Sequence, residues 1–249
     1  MAGRPDSSVL VVWQHALSRR RYLIGHLSRD SRGHVFTYET TTPGALSEAQ
    51  AVGFRLFDEF PAPEGEWRQP ELFATFLRRV PQTWAAEDYG RLGVEPGDGI
   101  EFLRLTGGRL PTDTLEFLEP ISAADTYHLR FPVAGWRYYD GEQVMEELVP
   151  GAVLGLQLDE TNPHDPNAIR VLSPSGVHIG FVPAVYSWCL TQSVRRGSYR
   201  ATVASLGAAD DPGVRVIVDL DGDPGDLLGD QLVRYVPLRL YEYGEVVSA

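Results

Sequence analysis

The chain has 249 residues, 43% of them apolar, with ten Phe and eleven Tyr, enough to fill one large core or two ordinary ones. Its formal charge of −12 argues against a general nucleic-acid glue built on clustered cations. No apolar run approaches the roughly 20 residues of a membrane span. The N-terminal charges follow the short apolar stretch, the wrong order for a secretory signal. One cysteine, Cys189, excludes an intrachain disulfide framework, so the expected address is the cytoplasm.

All 22 basic residues are Arg, so every cationic contact is planar and two-pronged. The charges are unevenly spread. Residues 1–34 hold six Arg against Asp6 and Asp30, whereas residues 208–231 hold seven Asp against Arg215.

In chain order, the β-rich run 9–13 predicts an early strand, and 22–27 and 35–38 two more, separated by the polar turn 28–33. Arg19, Arg20 and Arg21 read as a solvated hairpin tip. His15, His26 and His34 lack metal-site spacing and read as surface or edge residues. Apolar residues at helical intervals predict a helix over 46–57 with Ser47 as N-cap. Another opens at Pro70, with Leu72, Phe73, Phe76 and Leu77 on one face. A third spans 84–92 and ends at Gly93. A turn at 106–109 and a strand at 114–118 return the chain to the first sheet.

Residues 119–122 form a reasonable boundary. Beyond it come short strands at 127–133, 153–158, 168–172, 177–182, 200–205, 214–220 and 238–241, with one helix candidate at 184–194. Many short strands with one or two helices suggest a small barrel or sandwich. Cys189 stands in an apolar neighbourhood, as an inert buried thiol would. The run 219–226 (DLDGDPGD) has its Gly at the fourth position where a calcium loop needs it at the sixth, so an acidic surface loop is expected. Glu146 and Glu147 read as a solvated helix face. No nucleophile–base pair, zinc quartet or phosphate loop emerges.

Three ordered blocks in the second half resemble the HIRAN domain family. They are 133–139 (VAGWRYY), 156–158 with 160–171 (LQL, then ETNPHDPNAIRV), and 176–183 (GVHIGFVP), within roughly residues 126–205. The resemblance implies a compact β-barrel related to the OB fold that captures the 3′-hydroxyl end of single-stranded DNA. It places Tyr138 as a base-stacking ring, Arg137 as a phosphate ligand and Asp165 as acceptor of the terminal hydroxyl. Asn162 and Asn167 would supply or organise polar contacts beside them. The chemistry suits those roles, because rings stack on any base, Arg holds a phosphate through two hydrogen bonds, and a carboxylate accepts an O–H.

The chain departs from the family at three positions. The second stacking aromatic falls on His164, and the basic pair falls on Phe181 and Ala184. Two phosphate ligands are therefore missing, with Arg170, Arg195 and Arg196 as candidates to replace them. Taken from the residues alone, Asn162, Asp165 and Asn167 serve equally well as Asx-turn scaffold. Arg137, Tyr138 and Tyr139 would equally well alternate across a strand.

The segments 9–13, 25–27 and 36–38 resemble the small β-rich N-terminal part of HipA-type toxin kinases, but no Gly-rich loop or catalytic-loop Asp of a kinase follows. The sequence thus predicts an α+β protein. An N-terminal mixed β-sheet plus helices would occupy residues 1–122, and an OB-like antiparallel β-barrel residues 123–249. The expected function is non-enzymatic recognition of single-stranded DNA ends, in DNA repair or defence, with no cofactor and no metal. The alternative is a protein–protein adaptor using the same fold without DNA binding.

Overall fold

The computed structural model describes residues 7–18, 20–41, 45–110, 114–120, 126–208, 211 and 213–223. The described residues divide into two compact units. The first takes those up to Thr83 together with Gly97–Pro120, and the second takes Trp84–Pro96 and those from 126 onward.

The first unit begins with β1 (Ser7–Gln14), β2 (Arg21–Asp30) and β3 (Gly33–Tyr38), a meander whose every contact is antiparallel. After α1 (Ala45–Ala51), β4 (Trp67–Gln69) joins the edge beside β3. Next come α2 (Ala74–Leu77), α3 (Ala86–Leu92, in the second unit) and α4 (Gly99–Thr106). β5 (Leu115–Leu118) then returns to pair with β1, giving the order β4-β3-β2-β1-β5.

Phe rings hold this unit together. Phe36 and Phe60 stack at 4.5 Å, Phe60 meets Phe73 edge-on at 4.8 Å, and Phe76 meets Phe117 at 5.6 Å. Pairs of this geometry add about 0.5–1.5 kcal/mol each beyond the area they bury.

The helices differ from expectation for identifiable reasons. α1 stops at Ala51, and Ser47 lies inside it rather than capping it. The chain reverses there so that Phe54 and Phe57 can enter the ring cluster. α2 starts at Ala74 rather than Pro70. Its first N–H groups, of Ala74 and Thr75, are taken by the Glu59 carboxylate at 3.2 and 2.8 Å, a cap supplied from fifteen residues away that leaves no local signal. α3 begins two residues after Trp84 and ends at Gly93 as anticipated. α4 was not foreseen, although Asp98 caps it by accepting from Glu101 N–H at 3.1 Å.

The basic run is not a solvated tip throughout. Arg20 is exposed, but Arg21 is buried in β2 and clamps Glu116 of β5 through Nε at 2.6 Å, and Arg109 reaches the same carboxylate. His34 is likewise buried, its ring bonded to the Pro70 carbonyl at 3.0 Å.

The second unit contains β6 (Tyr127–Pro132), β7 (Val153–Leu158), β8 (Ile169–Leu172), β9 (His178–Phe181), α5 (Ala184–Arg196), β10 (Tyr199–Leu206) and β11 (Val216–Gly222). The sheet is antiparallel throughout, in the order β6-β11-β10-β7-β8-β9. It curls until its two ends meet: Ala134, just past β6, bridges to Phe181 of β9. This is the α+β architecture and the small antiparallel barrel that the sequence implied. The strand expected at 238–241 lies outside the described residues.

α5 packs Val185, Tyr186, Cys189 and Leu190 out of solvent. Tyr186 meets Phe131 at 6.1 Å, and the Tyr127 hydroxyl bonds Ser193 at 3.0 Å. Asp219 and Asp221, expected in a loop, lie in β11, where Asp219 is held by Arg130 at 2.6 and 2.7 Å; the acidic run beyond 223 lies outside the described residues. Among the described residues, no helix is long and apolar enough to cross a membrane, and no three His, Cys, Asp or Glu side chains gather as a metal site would require.

Two outcomes test this packing. Glu116→Gln leaves the buried Arg21 guanidinium without its counter-charge. It is expected to lower the unfolding free energy by about 3 kcal/mol or more in urea denaturation; a change within experimental error would mean the cluster is not structural. Full burial pushes the Cys189 thiol up to about 12. The native protein should therefore resist a thiol reagent at pH 8 and react only once unfolded; rapid native labelling would contradict the packing of α5.

Candidate functional site

The loop between β7 and β8 is built from side chains that bond its own backbone. Asn162 Oδ1 accepts from the N–H groups of His164 and Asp165 at 2.9 and 3.1 Å. Asp165 Oδ1 accepts from Asn167 N–H at 2.8 Å. Two Asx turns in series, with Pro163 and Pro166 between, therefore fix the loop. The other oxygen of Asp165 accepts from the Ser187 hydroxyl in the first turn of α5 at 3.1 Å.

Behind the loop, Asp159 is buried and accepts from Thr161, Asn162 and Arg170 at 3.0, 3.4 and 2.8 Å. Burial pushes the Asp159 carboxyl upward, but these donors, Arg170 foremost, outweigh it and hold the group below its usual range.

Arg137 and Tyr138 stand on a different support, a 3-10 turn at Trp136–Tyr138 directly after the Ala134 bridge. Trp136 is buried beneath Gly141, where an added Cβ would lie 2.2 Å from its ring. Its Nε1–H donates to Glu142 at 3.1 Å, and Glu142 also accepts from Arg215 of the β11 approach at 3.3 Å. These contacts, that of Arg215 first, hold the Glu142 carboxyl below its ordinary value. With Trp136 pinned, the next two side chains project outward. Tyr138 is 77% exposed, and the Arg137 guanidinium lies 6.0 Å from the centre of its ring. Arg137 has no carboxylate partner among the described residues. The strand alternation considered for 137–139 is replaced by this turn.

The third component is an aromatic cluster that the sequence reading missed. Tyr139 lies 4.1 Å from His178 and 5.4 Å from Phe181, and the latter two meet edge-on at 4.9 Å. Residues three apart in a regular strand face opposite sides. His178 and Phe181 share a face because β9 carries a bulge: Val171 pairs with Gly180 and Leu172 with His178, leaving Ile179 as the surplus residue.

Gly180 makes the bulge possible. Its φ of +142° is unfavourable for a side chain, and a Cβ there would meet the Ala134 carbonyl oxygen at 2.6 Å. The Gly180 carbonyl accepts from the His178 ring at 2.9 Å. Burial lowers the His178 pKa below its ordinary value, opposed first by the bond to the Gly180 carbonyl and then by Asp159 and Asp140, and reinforced by Arg170, so the neutral ring predominates at pH 7. A glycine inside a strand run was the sequence signal for this bulge.

The site residues thus form two groups. Arg137 and Tyr138 stand together on the 3-10 turn, while Asn162, His164, Asp165 and Asn167 stand together in the β7–β8 loop. β9 links their supports, since Phe181 pairs with Ala134 on one side and with Arg170 on the other. His164 is exposed, and Asn162, Asp165 and Asn167 are half-buried. Of the cations proposed to replace the missing pair, Arg170 is held by Asp159. Arg195 and Arg196 close the far end of α5, about 17 Å from its first residue, next to Val194, which faces Asp159 and Arg170 across a shallow hollow.

A curled antiparallel sheet sealed on itself, with one packed helix and its binding groups on loops and turns, defines a small barrel of the OB-like kind. The family model of the HIRAN domain matches residues 126–217, a span that contains both groups of the site. Among solved structures, the chain is similar to the crystal structure of the HIRAN domain of human HLTF (21% identity, 47% of this chain and 87% of that one, TM-score 0.32). It is also similar to the HLTF HIRAN domain in its DNA-bound conformation (24%, 40% and 78%, TM-score 0.29). A third similar structure is the N-terminal domain of HipA toxin (19%, 47% and 95%, TM-score 0.30). No curated protein matches the chain significantly.

Gly180→Ala tests whether the bulge and the seam depend on each other. It is expected to cost about 1–3 kcal/mol in urea unfolding and to increase amide hydrogen exchange at Ala134 and Phe181. Unchanged exchange at both amides would separate the two features.

Proposed function

We propose that the chain binds nucleic acid through the surface formed by the 3-10 turn, the β7–β8 loop and β9, and that it recognises the 3′-hydroxyl end of single-stranded DNA without catalysing a reaction. One observation carries this reading: an exposed tyrosine and a guanidinium with no carboxylate partner among the described residues project side by side from a 3-10 turn within the segment matched by the HIRAN model. Tyr138 is the ring for a base, Arg137 the phosphate ligand and His164 a second, smaller stacking surface. Asp165, oriented by Asn167 and Ser187, is the acceptor for the terminal hydroxyl. Asn162 and Asn167 hold the loop in shape. Delivery of an end to a repair or defence partner fits such a binder.

A second reading, a protein-interaction adaptor, is favoured by Phe181 and Ala184, which stand where the family carries cations. It predicts capture of the same protein partner after nuclease treatment, with Arg137→Ala harmless.

Fluorescence anisotropy with 3′-hydroxyl, 3′-phosphate and blocked oligonucleotides tests the first reading. The 3′-hydroxyl strand should bind about tenfold tighter, the worth of one charge-assisted hydrogen bond. Tyr138→Ala should weaken binding by about 1–3 kcal/mol. Equal affinity for all three ends would reject end recognition.

A further inference from the structure

We propose that this surface holds its ligand chiefly through bases, with about one phosphate engaged, and is therefore a reader of unpaired bases whose affinity depends only weakly on salt. The inference rests on the nucleic-acid reading above and adds to it the physical source of the affinity.

Rings outnumber uncommitted cations on this surface. Tyr139, His178 and Phe181 pack within 4.1–5.4 Å of one another, and Tyr138 stands exposed on the adjoining turn. Beyond Arg137, two guanidiniums of the same unit are committed to carboxylates. Arg170 is held by Asp159 at 2.8 Å, and Arg215 by Glu142 at 3.3 Å and the Gly207 carbonyl at 3.1 Å.

Of the other described cations of the unit, Arg130 is held by Asp219 at 2.6 Å and Arg91 by Asp88 at 3.4 Å. Arg195 and Arg196 finish α5, and Arg200 opens β10 opposite Asp221, which pairs in turn with His128. From His128 to Ala134 the chain climbs six residues, about 20 Å. Asp140 and Asp159 act electrostatically on His178, as does Arg170, which is itself held by Asp159. A phosphate backbone laid along this surface would meet Arg137 and then negative charge. A base meets neutral rings, because His178 is predominantly uncharged at pH 7 and each nucleobase has a face that stacks.

Counterion release turns this arrangement into a measurable slope. For single strands, log K falls with log salt by about 0.7 for each phosphate neutralised. One contact predicts about a threefold loss of affinity between about 50 and 200 mM KCl, whereas three contacts predict a loss of nearly twentyfold.

The experiment is anisotropy of the full chain with a labelled 3′-hydroxyl oligonucleotide across that salt range. It is repeated with an oligonucleotide whose last two nucleotides are abasic, and with one whose last two phosphodiesters are neutral methylphosphonates. The expected result is a slope near −0.7, a loss of about tenfold or more for the abasic strand, and a loss of no more than about threefold for the methylphosphonate strand. Tyr138→Leu should reproduce the abasic loss, and Tyr138→Phe should restore affinity. A slope of about −2 or steeper, or undiminished binding of the abasic strand, overturns this inference while leaving nucleic-acid binding intact. No binding to any strand at any salt overturns both.

Discussion

Two backbone hydrogen bonds between Ala134 and Phe181, of 2.8 and 2.9 Å, join the ends of the second sheet. The site is arranged around that seam. On one side the chain leaves Ala134 through Gly135 into the turn that presents Arg137 and Tyr138, then lays Tyr139 on His178 and Phe181. On the other side β9 continues into β8, whose entry is the loop carrying His164 and Asp165. The seam itself requires Gly180, because a side chain there would occupy the space of the Ala134 carbonyl. One glycine thus couples closure of the barrel to the placement of its exposed rings.

The parts of this arrangement legible in the sequence were those written locally. Alternating and β-branched runs located most strands to within a residue or two, although β2 runs three residues past its expected end and β4 had no local signal, and Gly93 marked the end of α3. Asn162, Asp165 and Asn167 admitted two readings, ligand or scaffold. The side chains of Asn162 and Asp165 bond the loop backbone, Asn167 joins only through its own N–H, and Ser187, twenty-two residues from Asp165, supplies an anchor that no local pattern announces. The ring cluster was hidden for a different reason. Tyr139, His178 and Phe181 converge only because of a bulge, and a bulge is a property of strand pairing rather than of composition. The cap of α2 by Glu59 and the clamp of Arg21 on Glu116, across 95 residues, belong to the same class of long-range facts.

The overall charge of −12 conceals how the Arg residues are disposed. Arg21, Arg104, Arg130, Arg170 and Arg215 hold carboxylates of their own units, so the planar fork of Arg serves the fold at those positions. In the buried pairs among them, those of Arg21 and Arg104, desolvation offsets much of the attraction. Arg137 differs in facing an aromatic ring and solvent. Its distinction is one of environment, which neither the net charge nor the residue type conveys.

The sealed sheet has a consequence for how other molecules approach it. An open edge offers a row of unpaired N–H and C=O groups to which an extended peptide, or a second copy of the chain, can add as a further strand. Here part of the edge at β9 is taken by Ala134, and Tyr139 lies over its ring-bearing face. At that point the backbone groups of both end strands are already paired with each other and cannot template such growth. Visitors must be met by side chains instead, and selection among them becomes a matter of ring and charge geometry rather than of main-chain register.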